Sequence, residues 1–257
     1  MNPFFRPMAI ALFAMSMNEI GLGQSGSSAV LQSHGYSSPE AIIQQLKSED
    51  IETRKKVALA VGLADPLLDA LCFDDDNERI SIKQVTFRKG IESRLLSVRG
   101  CEAMFLVPVV KQGVSWITLN PVRLWAKFSE PTYKFESLVA PGEQEIVVSN
   151  QTVDEGTGIL QRNMTIYKVI GNETHAVFDT PEYLHVAEPD LKSPTGQYTD
   201  DQTSTFTYSW DKPDHGSSVF IREKRDERIG KHRFTVYRSY AWNRVLQEFR
   251  MLGDTPP

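Results

Sequence analysis

The chain has 257 residues, of which 40% are hydrophobic, 10% aromatic and 24% charged. Those proportions describe an ordinary globular protein with a real apolar core, long enough for one large domain or two small ones. The formal net charge of -5 argues against a nucleic-acid binder, which needs a net basic face to recruit phosphate.

The first residues have the layout of an export signal. Arg6 supplies a positive charge, Pro7 to Met17 is a short and mostly apolar run, and Gly21-Leu22-Gly23 offers small residues for a peptidase. The run is too short to span a membrane, which takes about 18 apolar residues. We read residues 1–23 as a cleaved signal peptide, with Ser28-Ala29 as an alternative site, and 24–37 as a flexible linker. The competing reading is a short buried helix opening a cytosolic domain. Export predicts a periplasmic or secreted chain without a transmembrane segment after cleavage. Cys72 and Cys101 fit such an oxidising compartment. Paired, they would close a loop of about thirty residues and stabilise the fold by roughly 3 to 4 kcal/mol; unpaired, both are small buried hydrophobes.

Ser38-Pro39-Glu40 predicts a helix start, since serine caps, proline suits the first helical position and acid favours the positive end of the helix dipole. Ala41, Ile42, Ile43 and Leu46 supply its apolar face. Asp50 caps a second helix carrying Val57, Ala58 and Val61, which Gly62 closes. The stretch IIQQLKSEDIETRKKVALAVGL, with Asp50 and Arg54 four residues apart, resembles one HEAT repeat. That family's solenoids are protein-binding scaffolds, and a unit buries its apolar face only against neighbours. No second copy is present, so residues 38–72 are read as a helical hairpin that packs on the β region or on a partner. Asp74, Asp75, Asp76, Asn77 and Glu78 follow, but Arg79 and Val85 stand where an EF-hand needs Gly and Glu. The run reads as a solvated acidic loop.

Residues 73–257 read as an antiparallel β domain of about ten strands, a meander with turns roughly every ten residues, closed or propeller-like. Ile80 to Arg88 alternates, Lys89-Gly90 turns, and Leu95 to Val98 resumes as strand. Glu102 to Val110 holds a near-continuous apolar run that predicts a central strand buried on both faces, with Pro108 implying an edge or bulge. Val114 to Leu119, Val122 to Phe128 and Tyr133 to Val139 follow. Glu145 to Ser149 is a short strand ended by the polar run Asn150 to Gly158; Ile159 to Ile170 is a long one, Gly171-Asn172 a turn, and Thr174 to Phe178 the return. Asp190 to Gln202 reads as a polar loop. Strands resume at Thr203 to Trp210, Ser218 to Arg225 and His232 to Tyr240, and Trp242 to Met251 is a strand or a short helix. Met164 to Lys168 and Phe234 to Arg238 match in residue type at every position. With EIVV, the GTGI loop and the Arg-x-Met-x-Ile-Tyr strand, residues 95–180 resemble uncharacterised exported bacterial proteins built from propeller-like meanders, a resemblance that implies a fold and no chemistry.

Motifs for chemistry are sparse. The chain has no G-x-S-x-G elbow, and its five histidines are not spaced as metal ligands. We therefore expect no cofactor. Glu143, Glu145, Asp154 and Glu155 cluster in sequence, and Trp116 and Trp125 offer stacking surfaces, so a glycosidase-like hydrolase is the alternative to a non-catalytic role. Asp154, Glu155 and Gly156 sit in a loop able to hold Ca²⁺ or a basic group; the competing account is a wide hairpin loop. Between Ile221 and Arg250 nine basic residues stand against four acidic ones. Arg222, Lys224, Arg225 and Arg228 therefore mark a basic hairpin for an anionic envelope surface or an acidic protein partner, unless cross-strand ion pairs absorb them. The sequence predicts an exported binding or envelope-accessory module whose surface is the 150–158 loop together with that hairpin.

Overall fold

The computed structural model describes residues 35–63, 80–100, 102–154, 159–188, 198–211 and 218–254. Two helices, α1 (Pro39–Leu46) and α2 (Ile51–Ala60), precede thirteen described strands: β1 (Ile80–Val85), β2 (Ser93–Arg99), β3 (Ala103–Gln112), β4 (Ser115–Thr118), β5 (Val122–Trp125), β6 (Thr132–Glu136), β7 (Glu145–Asp154), β8 (Ile159–Ile170), β9 (Glu173–Glu188), β10 (Tyr198–Asp211), β11 (Ser218–Ile229), β12 (His232–Asn243) and β13 (Glu248–Asp254). The fold is mainly β and antiparallel. One sheet runs β1-β2-β3-β4 with β5 also on β3, and the other runs β6 to β13 in sequence order. The signal-peptide residues 1–23, Cys72, Cys101 and the acidic run 74–78 lie outside the described residues.

Both helices start where their caps dictate. Ser38 Oγ accepts from the Ala41 amide at 3.2 Å, and Asp50 accepts from the Glu52 and Thr53 amides, both at 3.2 Å. Their apolar faces, Ile42 and Leu46 with Val57, Ala58 and Val61, pack on Leu96, Val98, Phe105, Val107 and Val109 of the smaller sheet. The hairpin thus covers the β region, one of the two packings the sequence allows. The stretch read as linker stops short of 37: Tyr36 is buried and exchanges both backbone hydrogen bonds with Trp116 at 2.8 Å.

Strand β3 is the central strand of its sheet and is buried on both faces. Ala103, Phe105, Val107 and Val109 point into the core under the helices, while Met104, Leu106 and Val110 point the other way. Pro108 is accommodated without a bulge. Its carbonyl accepts from Leu119 at 2.8 Å, so its missing N–H falls on the same side, between the β5 pairing at 103–106 and the β4 pairing at 109–112.

The second face of the smaller sheet packs on the start of the meander. Leu95, Leu106, Ile117 and Leu124 meet Ile146, Val148 and Val169 of β7 and β8. The opposite face of β7 and β8 presents Val147, Met164 and Ile166 to a further core with Val219, Ile221, Tyr240 and Phe249 from β11, β12 and β13. The meander can do this because it bends. The β9–β10 pairing ends at Tyr183↔Thr203, and the rest of β10 continues against β11 alone. The β10–β13 half therefore folds over the β6–β9 half, with Phe178 of β9 edge-on to both Tyr240 and Phe249.

Several strands run further than their apolar residues. Strand β7 continues through Asn150, Gln151 and Thr152, paired to Asn163, Arg162 and Gln161. Strand β9 extends to Glu188 through Pro181, and β10 starts at Tyr198 inside the stretch read as a loop. Backbone pairing to a neighbouring ladder sets these lengths, so polar side chains suffice at the sheet's ends. The Met164–Lys168 and Phe234–Arg238 likeness does not extend to packing: Met164 and Ile166 are core, whereas Phe234 is exposed.

One ion cluster joins the two sheets. Gln144 takes the Thr86 amide on Oε1 at 3.0 Å and donates its own amide to Thr86 O at 2.7 Å. Next to it Glu145, fully buried, accepts from the Leu138 amide at 2.8 Å and from Lys168 Nζ at 2.8 Å, and Lys168 also reaches Glu143 at 3.1 Å.

Candidate functional site

Where the meander folds over, two strand edges are left without partners among the described residues. Strand β6 pairs only with β7, and β10 beyond Thr203 pairs only with β11. Between them lies an open groove of about 540 Å³, walled by Thr132, Tyr133 and Lys134 on one side and by Ser204, Thr205, Phe206 and Tyr208 on the other. Val147, Ser149, Met164 and Glu182 also line it. Lys134 bridges the two walls, its ammonium 5.7 Å from the centroid of the Tyr208 ring.

The polar groups of the groove are held by neighbours. Glu182 is the extra residue of a β-bulge, since Arg162 pairs with Tyr183 and Asn163 with Pro181. The bulge turns its carboxylate to Ser149, whose hydroxyl donates at 2.6 Å, and to Arg162, whose Nε donates at 3.0 Å. Lys134 pairs with Glu136 at 2.9 Å. The Tyr208 hydroxyl donates to Met164 Sδ at 3.3 Å. Burial, and then the charges of Glu136 and Glu182, push the Tyr208 phenol up to about 12, so it stays protonated at neutral pH. Ser149 faces a carboxylate already engaged by arginine, which is not the orienting base that nucleophilic catalysis requires.

Behind the β10 wall is a buried charge network. Glu223 is 1% exposed; it accepts from Ser204 Oγ at 2.7 Å, Arg225 Nε at 2.7 Å and Tyr240 Oη at 2.6 Å. Burial pushes its carboxyl up, but the three donors and the Arg225 charge together outweigh that and hold it below its ordinary value. This network separates the residues read as one basic patch. Alternation along β11 sends Arg225 inward with Ile221 and Glu223, where it is 9% exposed and ion-paired. Arg222, Lys224 and Arg228 point to the other face. There Lys224 pairs with Asp226 at 3.1 Å and Arg228 with Asp201 at 3.6 Å, beside the His185 Nδ1–Asp201 contact of 2.6 Å.

The other predicted groups are distributed as follows. Glu155 and Gly156 lie outside the described residues, and Asp154 pairs by its backbone with Ile159 at the end of β7. Glu143 and Glu145 share Lys168 and serve the joint between sheets. Trp116 is buried, whereas Trp125 is 40% exposed. Among the described residues no three His, Cys, Asp or Glu side chains are grouped to hold a metal ion, and no helix is long and apolar enough to cross a membrane. The groove itself escaped sequence reasoning, because its walls lie far apart in the chain and meet only through the bend at Thr203. The Glu223–Arg225 pair did leave a signal: Val219 and Ile221 set an inward parity that the next two odd positions continue with opposite charges. In comparisons with known proteins, no family model, no curated protein and no solved structure matches the chain.

Proposed function

We propose that the protein is an exported, non-catalytic binding module, and that its seat is the groove between β6 and β10. The observation that carries this reading is the pair of open strand edges on one groove. Each edge presents a row of backbone donors and acceptors, the arrangement that accepts an added strand. The occupant that fits is an extended segment of a protein partner. Its backbone would pair with β6 or β10, and its alternate side chains would meet Met164, Phe206 and Tyr208. Export is supported by the charge and apolar layout of residues 1–23, and a role at the cell envelope or outside the cell follows from it.

Selection from a displayed random-peptide library against the folded chain tests the reading, with amide exchange measured on the resulting complex. Protection is expected at 132–136 and 204–211. Binding should be lost in Thr132→Arg and Thr205→Arg, both exposed positions on the groove wall. Peptides that bind without protecting either edge, or whose binding survives both substitutions, would place the seat elsewhere.

A further inference from the structure

The outer face of β10, β11 and β12 carries more positive charge than its own acids meet. Alternation puts Arg222, Lys224 and Arg228 on it, and register adds Arg233, which stands directly opposite Arg228 in the β11–β12 ladder. Lys231 lies in the turn between those strands, and Arg222, Lys231 and Arg233 are all exposed. Among the described side chains the acids of this face are Asp201 and Asp226, and each already has a cation, Arg228 at 3.6 Å and Lys224 at 3.1 Å. Among the described residues no hydrogen bond, ion pair or ring contact engages Arg222, Lys231 or Arg233. Like charges set opposite one another weaken a ladder, and no carboxylate of the described chain pairs with Arg233 to offset its place beside Arg228.

The surplus charges are spread over the face. Arg222 and Arg228 are six positions apart on β11, about 20 Å at the rise of a strand, and Lys231 and Arg233 lie at the Arg228 end. Thr203, Thr207 and Tyr237, opposite Asp226, Arg222 and Lys224, put hydroxyls between them. Charges so dispersed do not converge on one small anion; they suit an extended anionic plane.

The next hairpin narrows the occupant. At the β12–β13 turn Val245 is 90% exposed and Leu246 53% exposed. Asn243 Oδ1 accepts from both amides at 3.0 Å, so this apolar tip is held in shape. It lies at the Arg222 end of the face, since Arg222 pairs with Ser239 and Phe220 with Ala241, just before Asn243. A soluble polyanion would satisfy the arginines and leave the tip in water. A bilayer takes up both, with anionic headgroups against the cations and the acyl boundary around Val245 and Leu246. The net charge of -5 opposes this weakly, because charges farther off than about 8 Å are screened at physiological salt.

We infer that the outer face of β10–β12, together with the Val245-Leu246 tip, docks on an anionic lipid bilayer. None of the residues tested below lines the peptide groove, and either surface can fail alone.

The test is co-sedimentation of the full chain with vesicles of phosphatidylcholine alone and of phosphatidylcholine with an equal share of phosphatidylglycerol, at low salt and at about 0.5 M salt. The mixed vesicles are expected to take up at least tenfold more protein than the neutral ones, and high salt should remove most of that excess. Uptake through the apolar run Pro7 to Met17 would appear on both kinds of vesicle, so the anionic excess is the readout. Arg222→Ser, Lys231→Ser and Arg233→Ser combined should cut the excess at least fivefold, whereas Arg222→Lys with Arg233→Lys should keep it. Val245→Ser with Leu246→Ser should cut it at least threefold. All five positions are exposed, and circular dichroism identifies any variant that fails to fold. The inference is overturned if the two kinds of vesicle take up equal amounts, or if the triple Ser variant binds as the wild type does. It is also overturned if the tip variant keeps full binding while soluble polyglutamate binds the wild type as tightly as the mixed vesicles do, which would make the occupant an acidic chain.

Discussion

The Tyr240 hydroxyl donates to Glu223 Oε2 at 2.6 Å, reaching diagonally across the β11–β12 ladder in which Tyr240 pairs with Ile221. The bond lies in the core between the two halves of the meander, where a carboxylate without donors would be untenable. Tyr240→Phe removes one of three donors and is expected to cost about 1 to 3 kcal/mol in urea unfolding. Glu223→Gln leaves the buried Arg225 charge with only the longer Glu227 contact of 3.7 Å and should cost roughly 3 to 5 kcal/mol. Replacing both Glu223 and Arg225 by Met should cost less than Glu223→Gln alone. A double variant less stable than the single would show that the pair adds more than it costs to bury.

The same network fixes the direction of acid sensitivity. Glu223 has a folded-state pKa below its ordinary value of 4.5, so its contribution is complete above that value and is lost as pH falls through the lower folded one. Stability of the wild type should therefore decline below about pH 4.5, and the decline should be shallower in the Glu223–Arg225 double Met variant. Equal slopes in unfolding followed from pH 6 to pH 2 would remove Glu223 as a source of the dependence.

At high pH the tyrosines act in the opposite sense. Burial comes first among the causes that push Tyr167, Tyr208 and Tyr240 up to about 12 from an ordinary value of 10.0. A group whose folded pKa is raised contributes fully below its unfolded value, and that contribution fades as pH climbs towards the folded one. Absorbance titration at about 295 nm should show exposed phenols ionising near pH 10 and a later set whose ionisation coincides with loss of near-ultraviolet circular dichroism. Early ionisation of all the tyrosines would contradict the burial assigned to these three.

What the residues disclosed, and what they did not, follows from which interactions are local. Helix caps at Ser38 and Asp50 and the two-faced strand β3 were legible because each depends on a handful of neighbouring side chains. The polar halves of β7, β9 and β10 were not, since Asn150 or Asp200 becomes strand only because a distant ladder accepts its backbone. Arg225 was misplaced among Arg222, Lys224 and Arg228 for a related reason: counting charge ignores the alternation that sends every second residue inward. The groove needed the bend at Thr203, a long-range event with no local mark.

The joint between sheets makes a further measurable claim. Among the described residues Lys168 supplies the ammonium that meets the buried Glu145 carboxylate, at 2.8 Å, and β8 carries it to the loop that also bonds Thr86. Lys168→Met leaves that carboxylate with backbone donors alone and is expected to cost roughly 3 to 5 kcal/mol. Glu145→Gln with Lys168→Met should recover part of the loss. Amide exchange should show the opening concentrated at 86–92 and 137–145; uniform acceleration throughout the meander would mean that the cluster holds its own sheet rather than the joint.

The four basic residues of β11 give the sharpest contrast, because they share a strand and differ in which way they face. Arg222, Lys224 and Arg228 point away from the core, and Lys224 and Arg228 meet exposed or half-exposed carboxylates, contacts that water and salt weaken. Arg225 instead lies in the core against Glu223 and within 3.7 Å of Glu227. The triple change of Arg222, Lys224 and Arg228 to Ser should leave the urea midpoint where it is, whereas Arg225→Ser alone should lower stability by roughly 3 to 5 kcal/mol. If the triple variant unfolds as readily as Arg225→Ser, the outward face contributes to the fold as much as the inward one. If Arg225→Ser is silent, Glu223 must keep its charge by other means, and the network is held by Ser204 and Tyr240.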